Sequence, residues 1–371
     1  MKNASFWEQD TFNHSFDLII IGAGIVGLSS ALFFKHRNPD ARVIVLDKGS
    51  IPEGASTRNA GFLCVGSITE HVADMEKETP ENIKKRLQRR YRGMQLLRET
   101  LGDQAIDYQN CGGYELFTEQ KNFGKATNQL ARFNKWMKDI TGKKDVYQAE
   151  RLNGYNVIYN RLEGAIHPGK MMQALIAKTQ AAGVHIRWNT NVKKIKKSGV
   201  LLSENDSSIS GDQVLVASNG FTRRLIKNIT IKPGRGLVMV SEPWPGMPWV
   251  GIFHYDRGYV YFRNAGDRLL LGGGRNIAME EETKDQFGIN PGIKDYLTNF
   301  ARQKLTLPEG ISFEYEWSGI MGFTPTKTPI LQRMNDHCVV AAGLSGMGIA
   351  IGMDVAQTAV GLLSDISSMN N

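Results

Sequence analysis

A glycine-spaced turn near the start of the chain, Gly22-Ala-Gly24-Ile25-Val26-Gly27, limits what this sequence can fold into more than any other feature. The apolar run before it, residues 18–21, predicts a strand buried on both faces, as in a parallel sheet. A helical apolar pattern starts within a few residues after it. In that setting Gly22 permits the tight turn, Gly24 lets a pyrophosphate approach the backbone, and Gly27 lets helix and strand pack closely. The N–H groups at the helix start then face phosphate charge. A second strand, residues 42–46, ends in Asp47, where an acid that binds a ribose hydroxyl should stand. Strand, turn, helix, second strand and acid together predict a dinucleotide site.

At 371 residues the chain is long enough for two domains with sizeable cores, and its 41% apolar and 22% charged content is that of a soluble globular protein. Cys64, Cys111 and Cys338 have no paired spacing, so neither a disulfide framework nor any metal site is expected. The first fifteen residues lack the basic-then-apolar order of a secretory signal, and no uninterrupted apolar stretch is long enough for a membrane span. The cytoplasm is the expected location. The net charge of +8 raises the question of a polyanionic partner. Its densest cluster, residues 84–92, is interleaved with Ile83, Leu87, Met94, Leu97 and Leu101 at helical spacing. That predicts the solvated face of an amphipathic helix, with no nucleic acid expected as a partner. The lysines of residues 193–197 alternate as they do on a sheet edge that resists aggregation.

After Asp47 comes a small, polar stretch without period, residues 54–62, which is either a surface linker or a loop wrapped around a ligand. The next hundred residues are mainly helical in pattern, with a hairpin-like strand at 113–117. A helix over 170–182, capped by Gly183, and a strand over 184–188 form a second βα-type unit. Residues 212–220 read as another buried strand ending in small residues. From Ile231 onward the texture changes to strands at 236–241, 258–263 and 269–273, with a turn signal at Gly266-Asp267, which predicts an antiparallel sheet. The first pattern then returns as a strand over 337–342, the glycine-rich residues 343–348 and a long apolar helix to about Ser364. The expected fold class is α/β with two domains. A doubly wound dinucleotide-binding domain, discontinuous over 1–80, 150–225 and 322–371, is interrupted by an antiparallel-sheet substrate domain over 81–149 and 226–321.

Two strand–glycine–helix units some three hundred residues apart suit an extended cofactor held at both ends, with diphosphate at the first and a redox ring at the second. A helix N-terminus at the ring would stabilise the negative charge of a reduced flavin. The ordered motifs GAGIVG, Asp47, GASTRNAGF, EGAIHPGKM, VLVASNG, WSGIMGFTPTKTP and VVAAGLSGMG resemble the FAD-dependent D-amino-acid oxidase superfamily, which includes glycine, sarcosine and γ-glutamylputrescine oxidases. The resemblance runs from about residue 16 to the end and implies that the discontinuous domain is an FAD/NAD(P)-binding domain of glutathione-reductase type. It implies that Gly22, Gly24, Ile25, Val26, Gly27, Asp47 and Lys48 hold the adenosine diphosphate, with Val192 on the adenine side. Ser56, Thr57, Arg58, Asn59, Ala60, Gly61 and Phe62 would pass beside the flavin ring. Ser218, Asn219 and Gly220 would close over the diphosphate. Gly322, Gly346, Met347, Gly348 and Ile349 would meet the pyrimidine edge.

The departures narrow the expectation. The arginine that amino-acid-oxidising relatives place after W-x-G-x to pair with a substrate carboxylate is Met321 here, and a second arginine in the C-terminal loop is replaced by Gly346 or Met347. No His or Cys stands at the positions where some relatives tether the cofactor, so noncovalent FAD is expected. For substrate contacts, alternation puts Tyr259, Tyr261 and Arg263 on one strand face, suited either to a pocket floor over the flavin or to a solvated sheet face. Arg58 is a candidate neutraliser of cofactor or substrate, and Arg275 a candidate replacement for the lost carboxylate partner. His254 and Tyr255 read as sheet residues, and Lys327 as an oxygen-activating cation or a surface lysine. The Trp244 to Trp249 loop reads as a pocket cover or as core filling.

The expected reaction is oxidation of the C–N bond of a small amine or amino acid by hydride transfer to flavin N5, hydrolysis of the imine, and reoxidation by oxygen or another acceptor. The same motifs leave open an NAD-dependent dehydrogenase, an FAD-containing tRNA-modification protein and a flavoprotein with no turnover of its own.

Overall fold

The computed structural model describes residues 5–12, 15–203 and 206–369. Its first sheet has the strand order Ile330–Asn335, Cys338–Ala342, Ser208–Val216, Phe16–Ile21, Val43–Leu46, His185–Arg187. All neighbours in it run parallel except the outer Ile330–Asn335 strand, which is antiparallel to Cys338–Ala342. An antiparallel hairpin, Val192–Lys196 with Gly199–Leu202, extends from the Ser208–Val216 strand. Phe16–Ile21 lies between the second strand of the chain on one side and a strand some two hundred residues later on the other. The order therefore reverses at its carboxyl end, where open parallel sheets bind ligands.

Burial is nearly continuous along the central strands because both faces are covered, with successive side chains entering opposite layers. Leu18, Ile20, Val43, Val45, Leu215 and Val339 pack into the helical layer, while Ile19, Ile44, Val214 and Val340 pack with Val192, Val200 and Ile231. The expected α/β, two-domain architecture is the one found, with a hairpin layer on the sheet face away from the helices. The helical layer is built from Ile25–Arg37, Pro80–Leu101, Pro168–Ala181 and Gly348–Met369.

The second sheet has the order Phe313–Phe323, Lys232–Pro243, Arg268–Gly273, Val260–Ala265, Ile252–Tyr255, Gly113–Phe117, Tyr155–Asn160, Tyr147–Leu152. It is antiparallel throughout except where Ile252–Tyr255 runs parallel to Gly113–Phe117. One face packs on the helix Pro291–Leu305 through Phe253, Phe262, Leu271, Leu297 and Phe300. A two-stranded piece, Phe62–Leu63 with Gly164–Ala165, lies between the sheets in sequence and carries the end of the 54–62 stretch.

Sheet membership differs from the expected segments at two places. Tyr147–Leu152 and Tyr155–Asn160 belong to the second sheet, although residues from 150 onward were expected with the first. Helix Pro80–Leu101, expected with the substrate segment, packs on Gly348–Met369, where a side chain at Gly93 would overlap the Ala350 carbonyl. The Trp244 to Trp249 loop is core filling and not a cover. Trp249 is buried against Phe253 and Phe262, and its Nε1 donates to Leu305 O at 2.9 Å.

Candidate functional site

Both glycine turns open into one cavity of about 600 Å³ between the sheets. At the first, Gly22 has φ +110°, and a side chain there would lie 2.8 Å from Ala217 O. Helix Ile25–Arg37 starts at Gly24, which offers no side-chain cap, and Gly24, Ile25 and Val26 line the cavity. Gly27 does not. A Cβ there would overlap the Gly22 carbonyl, so its task is the close packing of helix and strand. Asp47 lines the cavity, with Oδ2 accepting from Ala23 N at 2.7 Å and Oδ1 from Gly49 N at 2.9 Å. Burial raises its pKa despite these bonds. Lys48 Nζ lies 3.8 Å over the Phe221 ring, and burial lowers its pKa.

At the second turn, Ser345 and Gly346 adopt positive φ, and Gly346, Met347, Gly348 and Ile349 all line the cavity at the start of helix Gly348–Met369. The two helix starts are neighbours: a side chain at Gly352 would lie 2.9 Å from Ile25 Cγ2. Asn219 ties the second turn to the first sheet, its Oδ1 accepting from Gly343 N at 3.1 Å and Leu344 N at 3.3 Å. Ser218 and Asn219 line the cavity, as does Val192. Gly220 and Gly322 do not. They let the end of the Phe313–Phe323 strand approach the 219–220 turn, since a Cβ at Gly220 would lie 2.6 Å from Met321 O.

The 54–62 stretch wraps this cavity. Ser56 Oγ accepts from Ile25 N at 3.0 Å, joining the loop to the first helix start. Asn59 folds back on Ala55 O (3.0 Å) and Ser56 O (2.9 Å) while accepting from Gly61 N (2.8 Å). Thr57 hydroxyl donates to Pro52 O, so Thr57 braces the loop from outside the cavity. Arg58 Nη1 donates to Ser318 O at 3.1 Å, and its guanidinium sits 4.5 Å over Phe287. Arg58, Asn59, Ala60 and Phe62 face the cavity; Gly61 does not. These are the properties an extended nucleotide needs: helix starts at two ends, backbone exposed by glycine, and a continuous loop along one side.

Tyr259, Tyr261, Arg275 and Met321 line the same cavity. Burial pushes the Tyr261 phenol up to about 12, so it stays protonated at neutral pH. Arg275 lies 4.3 Å over Phe323, donates to Thr283 Oγ1 at 3.3 Å, and keeps a buried Nε with no hydrogen-bond partner. Arg263 is corrected. It shares a strand face with Tyr259 and Tyr261 but does not line the cavity, because its Nη1 donates to Ile166 O (2.9 Å) and Gly61 O (3.2 Å) and its Nε to Asn264 O (2.9 Å). It clamps the carbonyls beneath the loop.

Several cavity residues were not anticipated from sequence. Glu70 and Asp74, one helical turn apart, receive Lys327 Nζ at 3.0 and 2.8 Å, so Lys327 is a paired cation at the cavity wall and not a free surface lysine. Arg86 reaches Asp74 at 2.8 Å and also Glu78, and Arg90 reaches Glu70 at 3.0 Å. These two arginines belong to the supposed solvated face, yet both are buried. Arg89 and Arg92 of the same cluster both pair with buried Asp354 at 2.7 Å. Burial alone would raise Glu70, but Arg90 and Lys327 outweigh it and hold its carboxyl well below the usual range. The i, i+4 spacing of Glu70, Asp74 and Glu78 was the available signal. His254 and Cys64 also line the cavity.

Among curated proteins, the chain is 24% identical over 366 residues to the probable oxidoreductase OrdL of Haemophilus influenzae, covering 90% of this chain and 80% of that protein. It is 23% identical over 363 residues to gamma-glutamylputrescine oxidoreductase of Escherichia coli K12, covering 92% and 82%. Among solved structures, glycine oxidase from Geobacillus kaustophilus superposes with a TM-score of 0.75 at 21% identity over 95% of each chain, a likeness of fold. Residues 17–361 match the family described as FAD dependent oxidoreductase (DAO). With nearly the whole chain inside that match, and a cavity shaped for an extended nucleotide, this protein belongs to the FAD-dependent oxidoreductase family.

Proposed function

We propose that the chain binds FAD noncovalently in this cavity and oxidises the C–N bond of a small amine or amino acid. The observation that carries the reading is that both glycine turns and a wall of Tyr259, Tyr261, Arg275 and Met321 line one cavity. The relatives named for γ-glutamylputrescine and for glycine support the substrate class. Bound flavin supplies a two-electron sink for the C–H bond beside the substrate nitrogen, with oxygen or another acceptor taking the electrons onward.

The chain's own residues supply orientation and a partly dry site. Tyr261, held as a phenol by burial, can donate a hydrogen bond but cannot take the ammonium proton. The substrate is expected to react as the neutral amine, its proton lost before the C–H bond is broken. Met321 offers no charge where related chains carry an arginine, so a carboxylate on the substrate would turn to Arg275, whose Nε is buried without a partner. Removal of that cation should raise KM for acidic substrates and leave neutral amines little changed.

Anaerobic mixing of the flavin-loaded protein with a panel of amines and amino acids tests the reading. Bleaching of the visible absorbance by at least one of them is expected. A flavin that stays oxidised against the whole panel would sink the proposal. Oxygen uptake in the same preparation then separates oxygen from other acceptors.

A further inference from the structure

Cys64, Glu163 and His254 come from three separated parts of the chain, and their side-chain donor atoms all lie within 4.8 Å of one another. Cys64 follows the Phe62–Leu63 strand, Glu163 precedes the Gly164–Ala165 strand paired with it, and His254 belongs to the Ile252–Tyr255 strand of the second sheet. All three are buried, with relative exposures of 3%, 1% and 8%. His254 Nε2 lies 3.4 Å from Glu163 Oε2, an ion-pair separation that lacks hydrogen-bond geometry, and the Cys64 thiol is its other neighbour in the group. We propose that these three side chains form a site for a divalent transition metal ion of zinc type, at the edge of the cavity.

Geometry supports the choice of ligand. In a tetrahedral zinc site, bond lengths near 2.0–2.2 Å to nitrogen and oxygen put those two donors about 3.3 Å apart, close to the separation found here. Thiolate, imidazole and carboxylate together suit zinc and its neighbours in the first transition series. The remaining oxygen of Glu163 is fixed by Val65 N (2.9 Å), Gly66 N (3.1 Å) and Asn160 Nδ2 (3.2 Å), which aims Oε2 at the other donors. Gly113 makes room, since a Cβ there would overlap that carboxylate. The His254 ring is held edge-on to Phe62 at 5.4 Å. Cys64 and His254 both border the cavity, so an ion has a path in and a fourth position open to a water or another ligand. An ion there would cross-link the end of the 54–62 loop to the second sheet. Arg90 lies near enough to Cys64 to influence it, but its guanidinium is held by Glu70 and by Val65 O at 2.6 Å.

The test uses full-length protein treated with a chelator and titrated with Zn²⁺ and, separately, with Co²⁺. One ion per chain is expected by elemental mass spectrometry. Cobalt should give a thiolate charge-transfer band and tetrahedral d–d bands to the red of the flavin absorbance. Cys64→Ser should abolish the charge-transfer band and lower affinity at least tenfold, whereas Cys111→Ser and Cys338→Ser should change neither. Failure of folded wild-type protein to take up stoichiometric metal overturns the proposal, whatever becomes of the variants. So does uptake with a spectrum that Cys64→Ser leaves unchanged. Neither readout requires substrate or flavin reduction, so the result stands apart from the proposed oxidation.

Discussion

Tyr261 and Arg263 stand two residues apart on one strand face, yet one borders the cavity and the other grips backbone behind it. Alternation along residues 258–263 made the shared face readable. The carbonyls that capture Arg263 belong to residues 61 and 166, and no local pattern could announce them. Because the guanidinium is buried and satisfies those oxygens, Arg263→Met should cost about 2–4 kcal/mol in urea unfolding and weaken FAD retention. Unchanged stability would return Arg263 to a surface role. His71 makes a second residue-scale case. It is fully buried, its Nε2 lies 3.1 Å from Val65 O, and burial lowers its pKa to about 3, with Glu70 opposing and Arg90, Lys327 and Arg86 reinforcing the shift. Below the usual value near ~6.5 the unfolded chain gains a proton that the folded chain refuses until about pH 3, so this residue drains stability as pH falls through that window. His71→Gln removes that component. Its stability relative to wild type should rise by about 3 kcal/mol between pH 7 and pH 4, and a difference that stays constant with pH would contradict the assignment. The Cys64, Glu163 and His254 grouping was also illegible in sequence, since ligand spacing rules assume donors close together in the chain.

Elements were more legible than side-chain partners. The turn at residues 22–27 predicted its strand and helix because each glycine answers a steric need of that junction. The two kinds of glycine contact predict different outcomes. Gly27→Ala would drive a Cβ into the Gly22 carbonyl, a backbone atom that cannot yield without moving the turn, so loss of FAD binding and of most stability is expected. Gly352→Ala meets only the Ile25 side chain, at 2.9 Å, and a penalty of about 1–3 kcal/mol should follow from overpacking a buried contact. Thermal melts of the two variants side by side check this, and equal penalties would contradict it. The Pro80–Leu101 helix shows where element reading stopped. Its apolar stripe was evident, but the burial of Arg86 and Arg90 depends on carboxylates of a neighbouring helix, which convert part of a solvated face into an interior ion-pair network.

At the scale of the whole molecule, sequence order alone implied a sheet interrupted and resumed, because two strand–glycine–helix units bracket a strand-rich middle. What it could not place were segments that cross between layers, such as the strands at 147–160, whose alternation fits either sheet. The positive charge is likewise a whole-molecule property with local answers: Lys327 and Arg86, Arg89, Arg90 and Arg92 of the densest cluster are engaged by acidic residues of this same chain. One cavity spans both glycine turns and so should recognise both halves of a single dinucleotide. Equilibrium titration of flavin-free protein with FAD and with FMN tests it most directly. One FAD should bind per chain and be released intact on denaturation, with FMN at least a hundredfold weaker because nothing then fills the end formed by Asp47, Gly22 and Gly24. No binding of FAD, or equal affinity for FMN, would contradict it.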